Sequence, residues 1–183
     1  MKIRTFLALK LPKIVIEKLS AYAELLSGYD KLQQIRWLPK ENYHLTLVFL
    51  GDIEDDLISN LQHNLEQNLI STKAVFFRFS EIIPFPFSST PKIVAAMMEH
   101  SRELIYFQQN VAKIVRAFGV SFERRRFTPH VTLGRLKSRS RKSMSFKPQQ
   151  IFLEGMSEEV VIFSSELTPK GAIYTSLGEI SLM

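Results

Sequence analysis

The stretch Phe127–Arg135, "FTPHVTLGR", holds at its centre "HVTL", His130–Leu133, and these four residues echo "HLTL" at His44–Leu47. In an extended strand residues i and i+2 share a face. His44 and Thr46 therefore project together, while Leu45 and Leu47 point to the other side; His130 and Thr132 repeat the arrangement over Val131 and Leu133. Each copy offers one imidazole and one hydroxyl and anchors its strand with apolar residues behind. Thr fills only 8 of 183 positions. Thr two places after at least two of the four His residues is then a chance of roughly one in ninety, which favours a functional pair over two structural histidines.

The surroundings of the two copies match as well. "IRTFLALKL" reads as a strand, and Pro12 suits the first turn of a helix running to about Ser27, with Ile14, Leu19, Tyr22 and Leu26 as its apolar stripe. "QIRWL" and "YHLTLVFLG" follow as strands, and Gly51-Asp52 is expected to end the second and open the acid-led helix "IEDDLISNLQHNLEQNL". "KAVFFRFSEII" is strand-like and "PFPFSSTP" turn-rich. Then "KIVAAMM" reads as a strand, "SRELIYFQQNVAKIVRAF" as a helix stopped by Gly119, and "RFTPHVTLGRL" as a strand. Strand, helix and His-x-Thr strand thus occur twice. Phe6 to His44 is 38 positions and Ile93 to His130 is 37, an internal pseudo-repeat within one domain spanning residues 1–183. "EVVIFSSEL" and "AIYTSLGEI" add a hairpin around "TPKG".

Composition narrows the classes. A chain of 183 residues, 45% hydrophobic and 23% charged, builds one domain with a core. With no Cys there is no disulfide, thiol nucleophile or thiolate-bound metal. The early apolar run is broken by Lys10, and no segment approaches the length of a membrane span. A soluble cytoplasmic protein is expected. The net charge of +6 invites an anionic partner. Arg124 to Lys147 holds nine basic residues and no Asp or Glu, and this segment also contains the second "HVTL".

Two imidazoles and two hydroxyls brought together suit a phosphate ester. A neutral His takes a proton from an attacking water, a protonated His gives one to the leaving oxygen, and Thr hydroxyls donate to the non-bridging oxygens. Histidine is the side chain whose ordinary pKa lets both forms coexist near neutrality. His63 lies off the Leu57, Leu61, Leu65 stripe and is expected to be solvated; His100 falls at a helix start. The chain has neither the ligand spacing of a familiar metal site nor a P-loop.

"IRTFLALKLP", "RWLPKENYHLTLVFLGDI", "RRFTPHVTLGR" and "SSELTPKGAIYTSL" together resemble the two-histidine phosphoesterases, and within them the RNA 2′,3′-cyclic phosphodiesterase family, also called 2′-5′ RNA ligases. The likeness spans nearly the whole chain. It implies a bilobal α+β fold of two pseudo-symmetric lobes with antiparallel-rich sheets and a central cleft. It also implies catalysis by His44 and His130, phosphate-holding by Thr46 and Thr132, and a contact from Arg135 to the phosphate or neighbouring ribose. No metal or cofactor is implied. The implied partner is an RNA with a 2′,3′-cyclic phosphate end, tRNA fragments included, acted on by a monomer with neither an obligate protein partner nor a membrane.

Two other readings stand beside this one: a phosphodiesterase for small cyclic phosphates, and a non-catalytic RNA-binding module. The complete His/Thr set weighs against the second, because a passive binder needs cations more than proton-transfer groups. Arg139, Arg141 and Lys142 are candidate RNA-phosphate contacts, and Tyr43, Phe87 and Phe127 are candidate stacking platforms. Trp37 is expected to pack.

Overall fold

The computed structural model describes residues 1–87, 90–122, 126–137, 147–169 and 171–183. Its strands are β1 (Lys2–Lys10), β2 (Ile35–Trp37), β3 (His44–Glu54), β4 (Val75–Phe85), β5 (Ile93–Met98), β6 (His130–Leu136), β7 (Gln149–Ser157), β8 (Glu159–Thr168) and β9 (Gly171–Ser181). The helices are α1 (Lys13–Tyr29), α2 (Asp56–Leu69) and α3 (Arg102–Ala117), with a short 3-10 turn at Lys40–Asn42 before β3. Among the described residues no helix is long and apolar enough to cross a membrane.

The strands form one curled antiparallel sheet in the order β7-β4-β5-β6-β3-β1-β8-β9, and β2 pairs with β6. Read outward from the β3/β6 seam, each side is four strands deep. One lobe is β3-β1-β8-β9 and the other β6-β5-β4-β7, so the order mirrors the duplication seen in the sequence. The lobes meet edge to edge through one ladder pair, Leu45 opposite Val131. Helices cover the face behind the seam in a crossed fashion: α1, from the first repeat, packs on β2, β6 and β7, while α3, from the second, packs on β3 and β4. The fold is α+β and two-lobed, as the resemblance implies.

Local chemistry explains most element boundaries. Ser101 caps α3, its hydroxyl accepting from the Leu104 N–H at 3.0 Å, and Gly119 with φ +96° turns the chain away beyond the other end. The inner face of α3 carries Leu104, Phe107, Val111 and Val115, each buried.

Three readings change. In α1 the buried stripe runs through Val15, Leu19, Ala23 and Leu26; Ile14 is exposed, because the helix meets β7 so closely that a Cβ on Gly155 would lie 2.9 Å from Val15. Gly51 does not end β3. The strand continues to Glu54 because Lys2–Thr5 pair with it, and Gly51 takes φ +72° within that pairing. Strand β7 has no counterpart among the expected elements; it lies on the outer edge beside β4. Arg124, Arg125, Arg139, Arg141 and Lys142 lie outside the described residues.

Candidate active site

At the seam Leu45 and Val131 are buried, and the residues flanking them, His44, Thr46, His130 and Thr132, keep part of their surface on the opposite, concave face. Counting outward from the Leu45–Val131 pair in antiparallel register sets His44 beside Thr132 and Thr46 beside His130. The sequence-predicted quartet is therefore one cluster, with imidazole and hydroxyl alternating across two strands.

Each strand carries a bulge directly after its Thr. Ala8 pairs with Thr46 but Leu7 pairs with Val48, leaving Leu47 extra; Ala95 pairs with Thr132 but Val94 pairs with Gly134, leaving Leu133 extra. The extra residue is used on the first strand, where the Leu47 carbonyl accepts from Gln108 Nε2 of α3 at 3.0 Å. A bulge resets the side-chain alternation. It returns Phe49 and Arg135, each five residues after its His, to the concave face, where both are exposed. Phe6, paired with Phe49, corresponds to Ile93, paired with Arg135. The two repeats thus differ at this position: one ends in an aromatic ring, the other in a cation.

The imidazoles are oriented by the same device. Nδ1–H of His44 donates to the Asn42 carbonyl at 2.8 Å, and Nδ1–H of His130 to the Thr128 carbonyl at 2.7 Å. A carbonyl only accepts, so in both neutral rings the proton sits on Nδ1 and Nε2 carries the lone pair. Nε2 of His44 accepts from the Thr46 hydroxyl at 3.1 Å. The Thr132 hydroxyl makes no hydrogen bond among the described residues.

The two sites differ in their walls. His44 is enclosed by Phe6, Phe163 and Tyr174, with ring centroids 4.8, 5.7 and 5.1 Å away; His130 rests against Phe85 at 5.0 Å. Burial among these rings pushes the His44 pKa down to about 4. The Asn42 hydrogen bond opposes the shift, and the charges of His130 and Arg135 add to it. Burial also lowers His130, against its hydrogen bond to Thr128. Burial thus favours the neutral form of both imidazoles in the free protein. His130 and Arg135 are both near enough to act on the charge of His44.

Other candidates fall elsewhere. Tyr43 is 4% exposed and part of the core, because it is the inward residue preceding His44, and so offers no stacking face. Phe127 and Trp37 pack against the core, whereas Phe87 is exposed beyond β4. His63 is solvated on α2 beside Gln67, and His100 lies outside α3. Phe49, 59% exposed, was missed by the sequence reading. Its signal was the shared five-residue spacing from His, hidden because a regular strand puts i and i+5 on opposite faces.

A cleft floored by two bulged His-x-Thr strands, in two lobes related by duplication, defines a two-histidine phosphoesterase. The sequence profile of the "LigT like Phosphoesterase" family matches residues 9–93 and again 94–174, one match for each repeat, and the chain belongs to this family. It is 28% identical to the RNA 2′,3′-cyclic phosphodiesterase of Thermotoga maritima over 96% of this chain and 94% of that protein. It is 30% identical to the Thermus thermophilus protein of the same name over 98% of this chain and 90% of that one. Among solved structures, a protein of Thermus thermophilus, 25% identical, superposes with a TM-score of 0.81, covering 98% of this chain and 97% of that one. Escherichia coli LigT complexed with 3′-AMP shares the fold with a TM-score of 0.79 at 21% identity, covering 100% and 99% of the two chains.

Proposed function

We propose that this protein hydrolyses RNA 2′,3′-cyclic phosphate ends to 2′-phosphomonoesters by two-histidine acid–base catalysis without a metal. The observation that carries the proposal is the paired commitment of Nδ1: with both Nδ1–H groups held by carbonyls, both Nε2 atoms are left for proton transfer over the Leu45–Val131 seam. The cyclic phosphate sits over that seam. One Nε2 accepts a proton from water as its oxygen bonds to phosphorus; the other, protonated, delivers its proton to O3′ as the P–O3′ bond breaks. The product is a 2′-phosphate with a free 3′-hydroxyl. The family resemblance favours His44 as the acid and His130 as the base.

The acid needs a proton that the free site does not hold. Burial is the main influence lowering His44, and the positive charge of Arg135 adds to it; an anionic phosphate offsets that charge and favours the imidazolium. Substrate therefore brings the site its proton. The Thr132 hydroxyl is free for a non-bridging oxygen, and that of Thr46 reaches one by rotating away from His44. Phe49 gives an exposed ring on the same face for the terminal base. With a 5′-hydroxyl in place of water as the nucleophile, the same displacement breaks the P–O3′ bond and joins the two ends as a 2′-5′ linkage with a free 3′-hydroxyl.

The test is incubation of a short RNA bearing a 2′,3′-cyclic phosphate, with and without EDTA, followed by identification of the end group. A 2′-phosphate formed in both conditions is expected. Binding without conversion would instead fit the passive RNA-binding reading, and activity lost in EDTA and restored by a divalent ion would overturn the metal-free mechanism.

A further inference from the structure

Strand β2 fills the space beside β6 beyond the point where β3 leaves it, and its register sets Arg36 directly opposite Arg135. The facing of this pair is fixed from behind. Ile35 and Trp37 point to the helix side, where a Cβ on Gly134 would lie 2.5 Å from Ile35 Cγ2 and 3.4 Å from Trp37 Cε3. Arg36 and Arg135, one residue out of phase with these, share the concave face with the His/Thr quartet, and both are exposed.

Like charges directly across a ladder repel. The usual remedy is a nearby carboxylate, yet neither arginine forms an ion pair among the described residues. Asp30 lines the adjoining groove of about 340 Å³ together with Arg36 and Lys137, but its carboxylate is engaged by the backbone N–H groups of Gln34 and Ile35, each at 2.9 Å. The Arg36 guanidinium instead lies over the β8–β9 turn, where a Cβ on Gly171 would be 3.9 Å from its central carbon. Arg36 thus stands at the rim of the cleft with no matching carboxylate among the described residues.

Position decides which anion it meets. The reacting phosphate lies over Leu45 and Val131. Arg135 is two ladder steps beyond Thr132 along β5, roughly 7 Å, and Arg36 is one further strand outward. Arg135 can turn back to the reacting centre, whereas Arg36, one strand farther out, is left for a phosphate beyond it.

Building on the proposed hydrolysis of RNA ends, we propose that Arg36, paired with Arg135, forms a second phosphate subsite that grips the phosphodiester joining the terminal nucleotide to the rest of the RNA. It makes the enzyme prefer a polymer end over a free cyclic mononucleotide.

The experiment compares wild type, Arg36→Ala and Arg36→Lys on two substrates: adenosine 2′,3′-cyclic phosphate and an RNA trinucleotide ending in a 2′,3′-cyclic phosphate. For Arg36→Ala, kcat/KM on the trinucleotide is expected to fall about tenfold, mostly through KM. Its log–log salt slope should flatten by about 0.7 for one lost contact, while the mononucleotide changes less than twofold. Arg36→Lys should keep the salt slope and recover only part of the affinity, having the charge without the fork. Thermal melting identifies any variant that fails to fold, and Arg36→Lys then carries the comparison. Equal losses on both substrates would assign Arg36 to the reacting phosphate or to structure, and no loss on either would remove the subsite; both overturn the inference while leaving the hydrolysis intact. A wild type that turns over neither substrate overturns the hydrolysis itself, and the subsite with it.

Discussion

Leu45 and Val131 face one another across the one ladder pair that joins the two lobes, and the four polar residues of the candidate site are their immediate neighbours in sequence. Both are buried. The geometry of the site is therefore set by apolar packing from behind rather than by contacts among the polar groups. The histidines are positioned from the outside, by carbonyls two residues upstream, and from beneath, by this pair.

A first expectation concerns the histidines as a unit. His44→Ala and His130→Ala should each lower turnover of a cyclic-phosphate RNA by on the order of 10² to 10⁴. The double variant should be little worse than either single one, because acid and base serve one step. Steady-state kinetics with circular dichroism on the same samples checks this; a folded His44→Ala protein at full activity would be incompatible with the proposed mechanism.

Burial of His44 also sets a pH dependence of stability. Its pKa is 6.5 in an unfolded chain and about 4 here. Between those values the unfolded state binds the extra proton, so stability rises with pH through this window and is lost as pH falls from about 6.5 toward 4. The full effect amounts to roughly 3 kcal/mol. His130, lowered for the same reason, acts in the same direction. Urea unfolding at pH 7.0 and 4.5 should show this loss, and His44→Gln should shrink it; an unchanged difference in that variant would place the acid sensitivity elsewhere.

The same shift links binding to protons. A phosphate anion over the seam raises the pKa of both imidazoles, so the site takes up a proton as it fills. Affinity for a 2′-nucleotide product should then rise as pH falls from 8 toward 6. Calorimetry in buffers of different ionisation enthalpy measures the uptake directly. Zero uptake at pH 7 would mean that the free site already carries its proton.

How far the sequence reached can be told residue by residue. The duplication was legible because it is local: strand, helix and His-x-Thr strand recur at nearly equal spacing, and Phe6 and Ile93, the chosen starting points, prove to be structural equivalents. The quartet was legible because residues i and i+2 share a face in any strand. Phe49 was not, because the bulge at Leu47 breaks the alternation and no local pattern announces it. Arg36 was not, because its meaning lies in Arg135 across the ladder, 99 residues along the chain. Strand β7 was hidden for a related reason: its residues alternate around an outer edge where Phe152 is exposed, and its strand partner among the described residues, β4, lies far back in the chain.

Gly134 gives a structural test of how the second strand is built. It pairs with Trp37, and a methyl there would sit 2.5 Å from the branched Ile35 Cγ2, a group that cannot swing clear as a long side chain can. Gly134→Ala should cost about 1–3 kcal/mol by overpacking and push β2 outward. The same alanine at Gly28 meets nothing within 4 Å and should be neutral or better, since α1 gains helix propensity. Chemical denaturation of the two variants separates them; equal stability would mean that β2 is not seated on β6 as described.

The last expectation isolates the hydroxyls. Thr46→Val and Thr132→Val keep the branched shape and lose only the donor, so folding should be nearly unchanged. Turnover should fall by roughly 1–3 kcal/mol of transition-state stabilisation, the scale of a hydrogen bond to a charged group. The two changes should not be equivalent. Thr46 donates to Nε2 of His44 in the free protein, and Thr132 makes no such bond among the described residues. Removing the Thr46 hydroxyl therefore withdraws a hydrogen bond from the neutral form of His44 and should raise its pKa, shifting upward the limb of the pH–rate profile that follows His44; removing Thr132 should lower the plateau and leave that limb in place. Measuring kcat/KM from pH 5 to 9 for both variants checks the distinction. Identical profiles, lowered to the same extent, would mean that the two hydroxyls do one job between them and that the Thr46–His44 contact is incidental to the chemistry.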